Sequence, residues 1–135
     1  MKIIVKNPKQ KITLSDIKYI ESEFSFTMPE SLKKLYLKYN GGIIDIDEDY
    51  YRLNSIKYGN LLLVNTIDTM QITEKNIPRE YIPFANTEGG HFICIYVKAG
   101  SKNGQIYLFR HDELEPIFYN NSLEEFLNVD SIEEL

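Results

Sequence analysis

The feature that most constrains this chain is a change of hydrophobic period at Asn40-Gly41-Gly42. Upstream, Leu32, Leu35, Tyr36 and Tyr39 recur at i, i+3, i+4 and i+7, one face of an α-helix. Lys33, Lys34 and Lys38 fall on the other face. Downstream, Ile44 and Ile46 alternate with Asp45 and Asp47, the period of a strand with one wet face. The glycines read as a helix stop, because glycine accepts the left-handed conformation that closes a last turn. Thr27-Met28-Pro29-Glu30 marks the start of the helix. Thr and Glu have capping-box spacing, and Pro29 falls in the first turn, where its missing N–H costs nothing.

The remaining elements follow from similar signals. Leu14, Ile17, Ile20 and Phe24 have helical spacing, with Thr13 or Ser15 as cap. Ile3-Ile4-Val5 is either a short strand or a packed arm, and 50–56 and 61–65 read as strands or strand-like arms. Thr66 is placed to cap a short helix through Met70 and Ile72 that Ile77-Pro78 breaks. A meander is expected after that: a strand over 81–85, a turn at 86–90, and a strand over 91–97. That last strand is apolar enough to be central and covered on both faces. Asn103-Gly104 is a hairpin signal, and 105–109 and 116–119 complete the sheet. Pro83 removes a ladder donor, which places its segment at an edge or a bulge. Ser122-Leu123-Glu124-Glu125 is a second capping box, opening a helix that packs Leu123, Phe126 and Leu127. The acidic segment 130–135 is expected to fray. The expected fold class is α+β: an antiparallel-rich sheet of about five to six strands with helices packed on it, in a single domain over 1–135.

Composition narrows the functions open to such a fold. With 135 residues, 43% hydrophobic and 26% charged, the chain can bury an ordinary core without disulfides or a structural metal. Its one cysteine, Cys94, allows no intramolecular disulfide, which fits a reducing compartment. Residues 1–6 lack the apolar core of a signal peptide, and the longest apolar runs are too short to cross a bilayer. A cytoplasmic location is the expectation. The net charge of −5 argues against a nucleic-acid binder held by phosphates and against docking on an anionic membrane. It suits a basic protein partner. Ten tyrosines and no tryptophan are consistent with interface anchors, but tyrosine is also a normal strand residue, and strand positions are the favoured reading.

No catalytic constellation emerges. His91 and Cys94 stand three apart on a strand, so they face opposite sides, and no further ligands surround them for zinc. His111 could approach Cys94 across a hairpin, but a thiol in so apolar a strand has its pKa raised and its nucleophilicity blunted. His111-Asp112 reads as a turn. No phosphate-binding loop, dinucleotide fingerprint or nucleophile elbow is present. Neither a cofactor nor a metal is expected. The most suggestive stretch is Asp45, Asp47, Glu48, Asp49, Tyr50 and Tyr51. It lacks the glycine and distal glutamate of a calcium loop. It reads either as a protein-binding edge, with carboxylates that steer a basic partner and tyrosines that anchor it, or as a solvated tip protecting an edge strand.

The order of motifs resembles the SUKH superfamily, which groups bacterial immunity proteins of toxin systems with fungal cell-wall regulators. The pieces that carry the resemblance are Met28-Pro29 before a helix ending in Tyr39-Asn40-Gly41-Gly42, then Ile82-Pro83-Phe84-Ala85. Gly89-Gly90 leading into Phe92-Ile93-Cys94-Ile95 comes next, then Ile106-Tyr107-Leu108-Phe109 with His111-Asp112, and Ser122 to Leu127. The chain departs from the pattern at Met28, where the family often has Leu, and at Tyr96, where it often has Asp. Residues 43–77 carry no family signature, and partner choice is expected to vary there. The resemblance implies a non-enzymatic immunity protein, an antitoxin that binds and blocks a cognate toxin domain, often a nuclease or other nucleic-acid-directed enzyme. A regulatory or scaffolding module without a linked toxin is the alternative it implies.

Overall fold

Seven strands among the described residues pair in the order in which they occur along the chain, each antiparallel to its neighbours. They are β1 (Ile3–Lys6), β2 (Gly42–Ile46), β3 (Asp49–Leu53), β4 (Tyr81–Thr87), β5 (Phe92–Tyr96), β6 (Ile106–Phe109) and β7 (Ile117–Asn120). The structure, a computed structural model, describes residues 3–59, 61–110, 113 and 115–135. His111 and Asp112, and with them the proposed approach of His111 to Cys94, lie outside the described residues. The count exceeds the expected five to six because Ile3–Lys6 pairs as an edge strand and the segment after Gly41 folds back into a hairpin.

Alternation divides the sheet into two faces. On one, Leu53, Ala85, Ile93, Leu108 and Ile117 lie opposite one another in an unbroken row across five strands. Helices α1 (Leu14–Phe24), α2 (Glu30–Lys38) and α4 (Leu123–Leu127) bury Ile17, Ile20, Leu32, Leu35, Tyr36, Leu123 and Leu127 in the same cluster as that row. Leu35 is fully buried, so Leu35→Ala is expected to cost roughly 2–5 kcal/mol. On the other face, Cys94 lies opposite Tyr107, and Phe92 opposite Phe109. Met70, Ile77 and Tyr81 close over them as a second, smaller cluster. The strand carrying Ile93, Cys94 and Ile95 is thus covered on both sides, as its apolar run predicts.

Helix α1 starts at Thr13, whose amide and hydroxyl both donate to the Asp16 carboxylate, at 2.9 and 3.3 Å. Leu14 stays 53% exposed, so the buried face begins at Ile17. The expected Thr27–Glu30 capping box does not form. Pro29 itself is the N-cap, with its carbonyl accepting from Leu32 and Lys33. The Met28 amide donates instead to the Glu21 carboxylate of α1, at 2.7 Å, so one helix caps the approach to the next. The Ser122 cap does form, with its hydroxyl accepting from the Glu125 amide at 3.0 Å.

The glycine pair after α2 has a second role. Asn40 is buried and clamps two loops: its Nδ2 donates to the carbonyls of Gln10 and Ile56, and its Oδ1 accepts from the Ile56 amide at 2.6 Å. A Cβ at Gly41 would fall 2.7 Å from the Ser55 side chain, and one at Gly42 would fall 2.5 Å from the Lys6 carbonyl. The loops can close onto Asn40 only because both positions are bare. Pro83 sits at a bulge in β4, between the partners of Cys94 and Ile93. Buried Asn54 stitches that bulge, its amide donating to the Phe84 carbonyl and its Nδ2 to the Pro83 carbonyl, both at 2.8 Å.

Other expectations fail as well. Residues 61–65 are not a strand: Leu62 makes a single bridge to Ser55, and α3 (Leu63–Ile67) starts directly after it, widening into a π-helical turn over Asp68–Thr73. Thr66 lies inside this helix rather than at its cap, and its hydroxyl donates back to the Leu62 carbonyl. Leu63, Ile67 and Met70 are buried at i, i+4 and i+7, the helical period that the neighbouring Leu61 and Leu62 obscure. The C-terminal segment also packs rather than frays. Ile132 is 1% exposed, a short 3₁₀ turn forms over Ile132–Glu134, and Lys34 and Lys38 of α2 reach Glu133.

Candidate protein-binding surface

The β2–β3 hairpin closes through a two-residue turn, Asp47-Glu48, between the paired Ile46 and Asp49. Both turn residues take positive φ, 52° and 72°, as a type I′ turn requires. Asn-Gly is the usual occupant. A charged side chain with a Cβ at each position costs roughly 1 kcal/mol apiece. The turn is braced by Asp45, whose carboxylate accepts from the Glu48 amide at 3.0 Å and meets Lys6 Nζ at 3.5 Å.

The pleat separates the six residues that the sequence groups together. Asp45 and Tyr50 lie opposite each other on the face away from α1, α2 and α4, with Lys6 Nζ 5.5 Å from the centre of the Tyr50 ring. Asp47 and Glu48 form the tip. Asp49 and Tyr51 turn to the helical face, where the Tyr51 ring packs edge-on against Phe126 of α4 at 5.1 Å. Burial first, then Tyr119 and Asp49, push the Tyr51 phenol above its ordinary range. Tyr51 is therefore half core, and Tyr50 is the more exposed of the pair.

Beside α4 the helical layer leaves a corner of the sheet uncovered. A notch of about 390 Å³ opens there, with Tyr51, Leu108 and Tyr119 among its lining and Glu48, Asp49 and Glu88 contributing carboxylates. Arg110 also borders it, but is engaged by Glu113 at 3.9 Å. No cation among the described residues pairs with Asp47, Glu48, Asp49 or Glu88. Glu88 and Tyr119 are not among the sequence candidates. In a sequential antiparallel meander every second turn falls at the same end, so the β2–β3 tip and the β4–β5 turn with Glu88 lie at the end of the sheet where β6 finishes and β7 begins. Strand order was the signal that could have found them.

The other hollows have a different character. A groove of about 520 Å³ on the opposite face runs past Ile43, Arg52, Leu61 and Asn86. A wider one, about 890 Å³, lies by the α1–α2 loop among mixed charges, Glu30, Lys33, Arg79, Glu80 and Lys98. Cys94 is fully buried, and burial pushes its thiol well up, away from the thiolate form a nucleophile needs. The His91 backbone amide donates to the Thr87 hydroxyl at 3.1 Å, at the entrance to β5. Among the described residues no group of three or more His, Cys, Asp or Glu side chains could hold a metal ion, and no helix is long and apolar enough to cross a membrane.

The sequence profile of the SMI1 / KNR4 family (SUKH-1) matches residues 11–129. The chain belongs to this family. The SUKH-1 match runs from the loop before α1 to the residue after α4's cap, so it covers the whole helical layer and β2 to β7, and leaves out β1 and the docked C-terminal turn. Within it, the Asn40-Gly41-Gly42 and Pro83 positions that carried the resemblance are accounted for by loop closure and a bulge. No curated protein matches this SUKH-1 chain in sequence.

Proposed function

We propose that this chain is an immunity protein, an antitoxin that binds a cognate toxin domain and blocks it, without catalysing a reaction. The observation that carries the reading is the acidic corner itself. Asp47, Glu48, Asp49 and Glu88 pair with no cation among the described residues; the last three line a notch bordered by tyrosines and Arg110, and Asp47 and Glu48 occupy strained turn positions where Asn-Gly would cost less. Strain kept at an exposed tip points to a use for the side chains that cause it. SUKH-1 membership supports the same reading, because the superfamily groups such immunity proteins. A toxin acting on nucleic acid carries a basic substrate surface, and a cluster of carboxylates can stand in for phosphates on it. Asp45, Asp47, Glu48, Asp49, Tyr50 and Tyr51 are the proposed contact residues of the hairpin, with Asp45 bracing the tip and Tyr51 shaping the notch.

The test is co-expression with the toxin encoded beside this gene. Protection of the cells together with a co-purifying complex is the expected result. Failure of every neighbouring toxin candidate to bind would remove the proposal, and partners drawn from signalling or cell-wall proteins instead would establish a regulatory module.

A further inference from the structure

Strand β7 is the last in the sheet, with β6 as its neighbour on one side and no strand on the other among the described residues. Its sequence, Ile117-Phe118-Tyr119-Asn120, carries no charge and no proline, so its protection as an edge comes only from its shortness, four residues, and from a register shift against β6. Phe118 is 50% exposed and Tyr119 41% exposed, and both are among the most exposed large apolar side chains of the molecule. They point to different surroundings. Phe118 packs on Tyr107 on the face away from the helices, at 5.7 Å between rings. Tyr119 lines the acidic notch with Asp49 and Glu88. The open edge and the acidic corner are therefore one continuous surface.

We propose that β7 is a docking edge for an extended, basic segment of a protein partner, which adds as an eighth strand and reaches into the notch with alternate Lys or Arg side chains. Backbone pairing along an open edge supplies affinity, and side chains of alternate residues supply choice. The strand's outer backbone groups would pair with the incoming segment. Apolar side chains on one of its faces would cover Phe118. Cationic ones on the other would enter the notch from its Tyr119 side, toward Glu88, Glu48 and Asp49, none of which pairs with a cation among the described residues. A second copy of this chain is a poorer occupant. Pairing β7 with β7 would bring two such carboxylate clusters together, between two molecules that each carry a net charge of −5.

This inference rests on the protein-binding reading above and names the mode and chemistry of that contact. The experiment uses the full chain and two short labelled peptides, one alternating Lys and Val, the other alternating Glu and Val. Binding is read by fluorescence anisotropy and its place by amide hydrogen exchange. The Lys–Val peptide is expected to bind at least about tenfold more tightly than the Glu–Val one and to protect amides of Phe118 to Asn120. Tyr119→Lys, and separately Glu88→Lys, each lie at exposed or half-exposed positions and should weaken it by about tenfold while leaving the thermal midpoint in place. Equal binding of the two peptides, no binding of either, or protection confined to other strands would overturn the proposal. So would a concentration-dependent dimer in which the β7 amides become protected without peptide. A cognate toxin that binds without protecting β7 sinks the edge inference and leaves the immunity reading standing. A Lys–Val peptide that protects β7, with no toxin partner found, does the reverse.

Discussion

The acidic hairpin tip and the acidic C-terminal segment differ in where their carboxylates find positive charge. At the C-terminus, Glu133 meets Lys34 Nζ at 3.0 Å, its carbonyl accepts from Lys38 Nζ, and Glu134 accepts from the Asp130 amide. Ile132 goes into the core beneath them. At the tip, Asp45 is held by Lys6, but Asp47, Glu48 and Asp49 meet no cation among the described residues. Both segments are dense in negative charge. One is tied to a helix of the same chain through Glu133 and becomes part of the architecture. The other leaves its charge available to something outside the chain.

The comparison can be broken most forcefully at Ile132. Ile132→Ala is expected to lose roughly 2–5 kcal/mol in urea denaturation, against about 0.5 kcal/mol or less for Asp47→Ala. A loss at Ile132 as small as that at Asp47 would mean that the C-terminal turn is not docked. Next in size is association. Reversing Asp47 and Asp49 to Lys should slow binding of the toxin domain at low salt by about tenfold or more, because steering charges act mainly on the on-rate. Glu133→Lys, whose charge is already matched within the chain, should leave that rate nearly unchanged in stopped-flow mixing. Unchanged binding in the tip variant, with the fold intact by circular dichroism, would move the contact elsewhere.

A smaller effect sharpens the same contrast from the side of stability. Replacing Asp47-Glu48 by Asn-Gly relieves positive φ at both positions and should raise stability by about 1 kcal/mol, while weakening the complex. A tip that gained stability without losing affinity would have been strained for no purpose. The smallest effect is in pH. The hydrogen bond from Lys34 holds the Glu133 carboxyl below its ordinary 4.5, and the same contact holds Lys34 above its ordinary 10.5. The carboxylate's contribution is therefore present above pH 4.5 and is lost as pH falls through its lowered folded value. The lysine's is present below pH 10.5 and is lost as pH rises through its raised one. Glu133→Gln should flatten the acid limb of the stability–pH curve slightly, and an unchanged limb would show that the exposed pair contributes nothing measurable.

What the sequence made legible was local. The period of α2, the glycine stop, the Ser122 cap and the doubly buried strand around Cys94 each rest on signals within one turn or a few strand positions. The helix after Asn65 was expected, but its first turn, from Leu63, was hidden because Leu61 and Leu62 extend the apolar run that contains Leu63, and a continuous run has no period to read. The docking of Ile132 depends on Lys34 and Lys38, which are near in space and remote in the chain. The site was half legible for the same reason. The carboxylates from Asp45 to Asp49 announce themselves, whereas Glu88 and Tyr119 join them only once strand order brings alternate turns to one end. The pleat then does what a linear reading cannot: it sends adjacent Tyr50 and Tyr51 to opposite faces.

The neighbour-to-neighbour strand order also has a kinetic side. The β2–β3 hairpin and the β4–β7 meander each assemble over short connections, where loop closure is cheap. They join only where Tyr51–Leu53 meets Ala85–Thr87, after the chain has travelled from Asn54 to Glu80 through α3. Zipping that seam, like pairing β1 with β2, is a non-local step expected to slow folding, and Asn54, bonded to both Pro83 and Phe84 across the seam, is the stitch whose removal should be felt in the refolding limb of the kinetics.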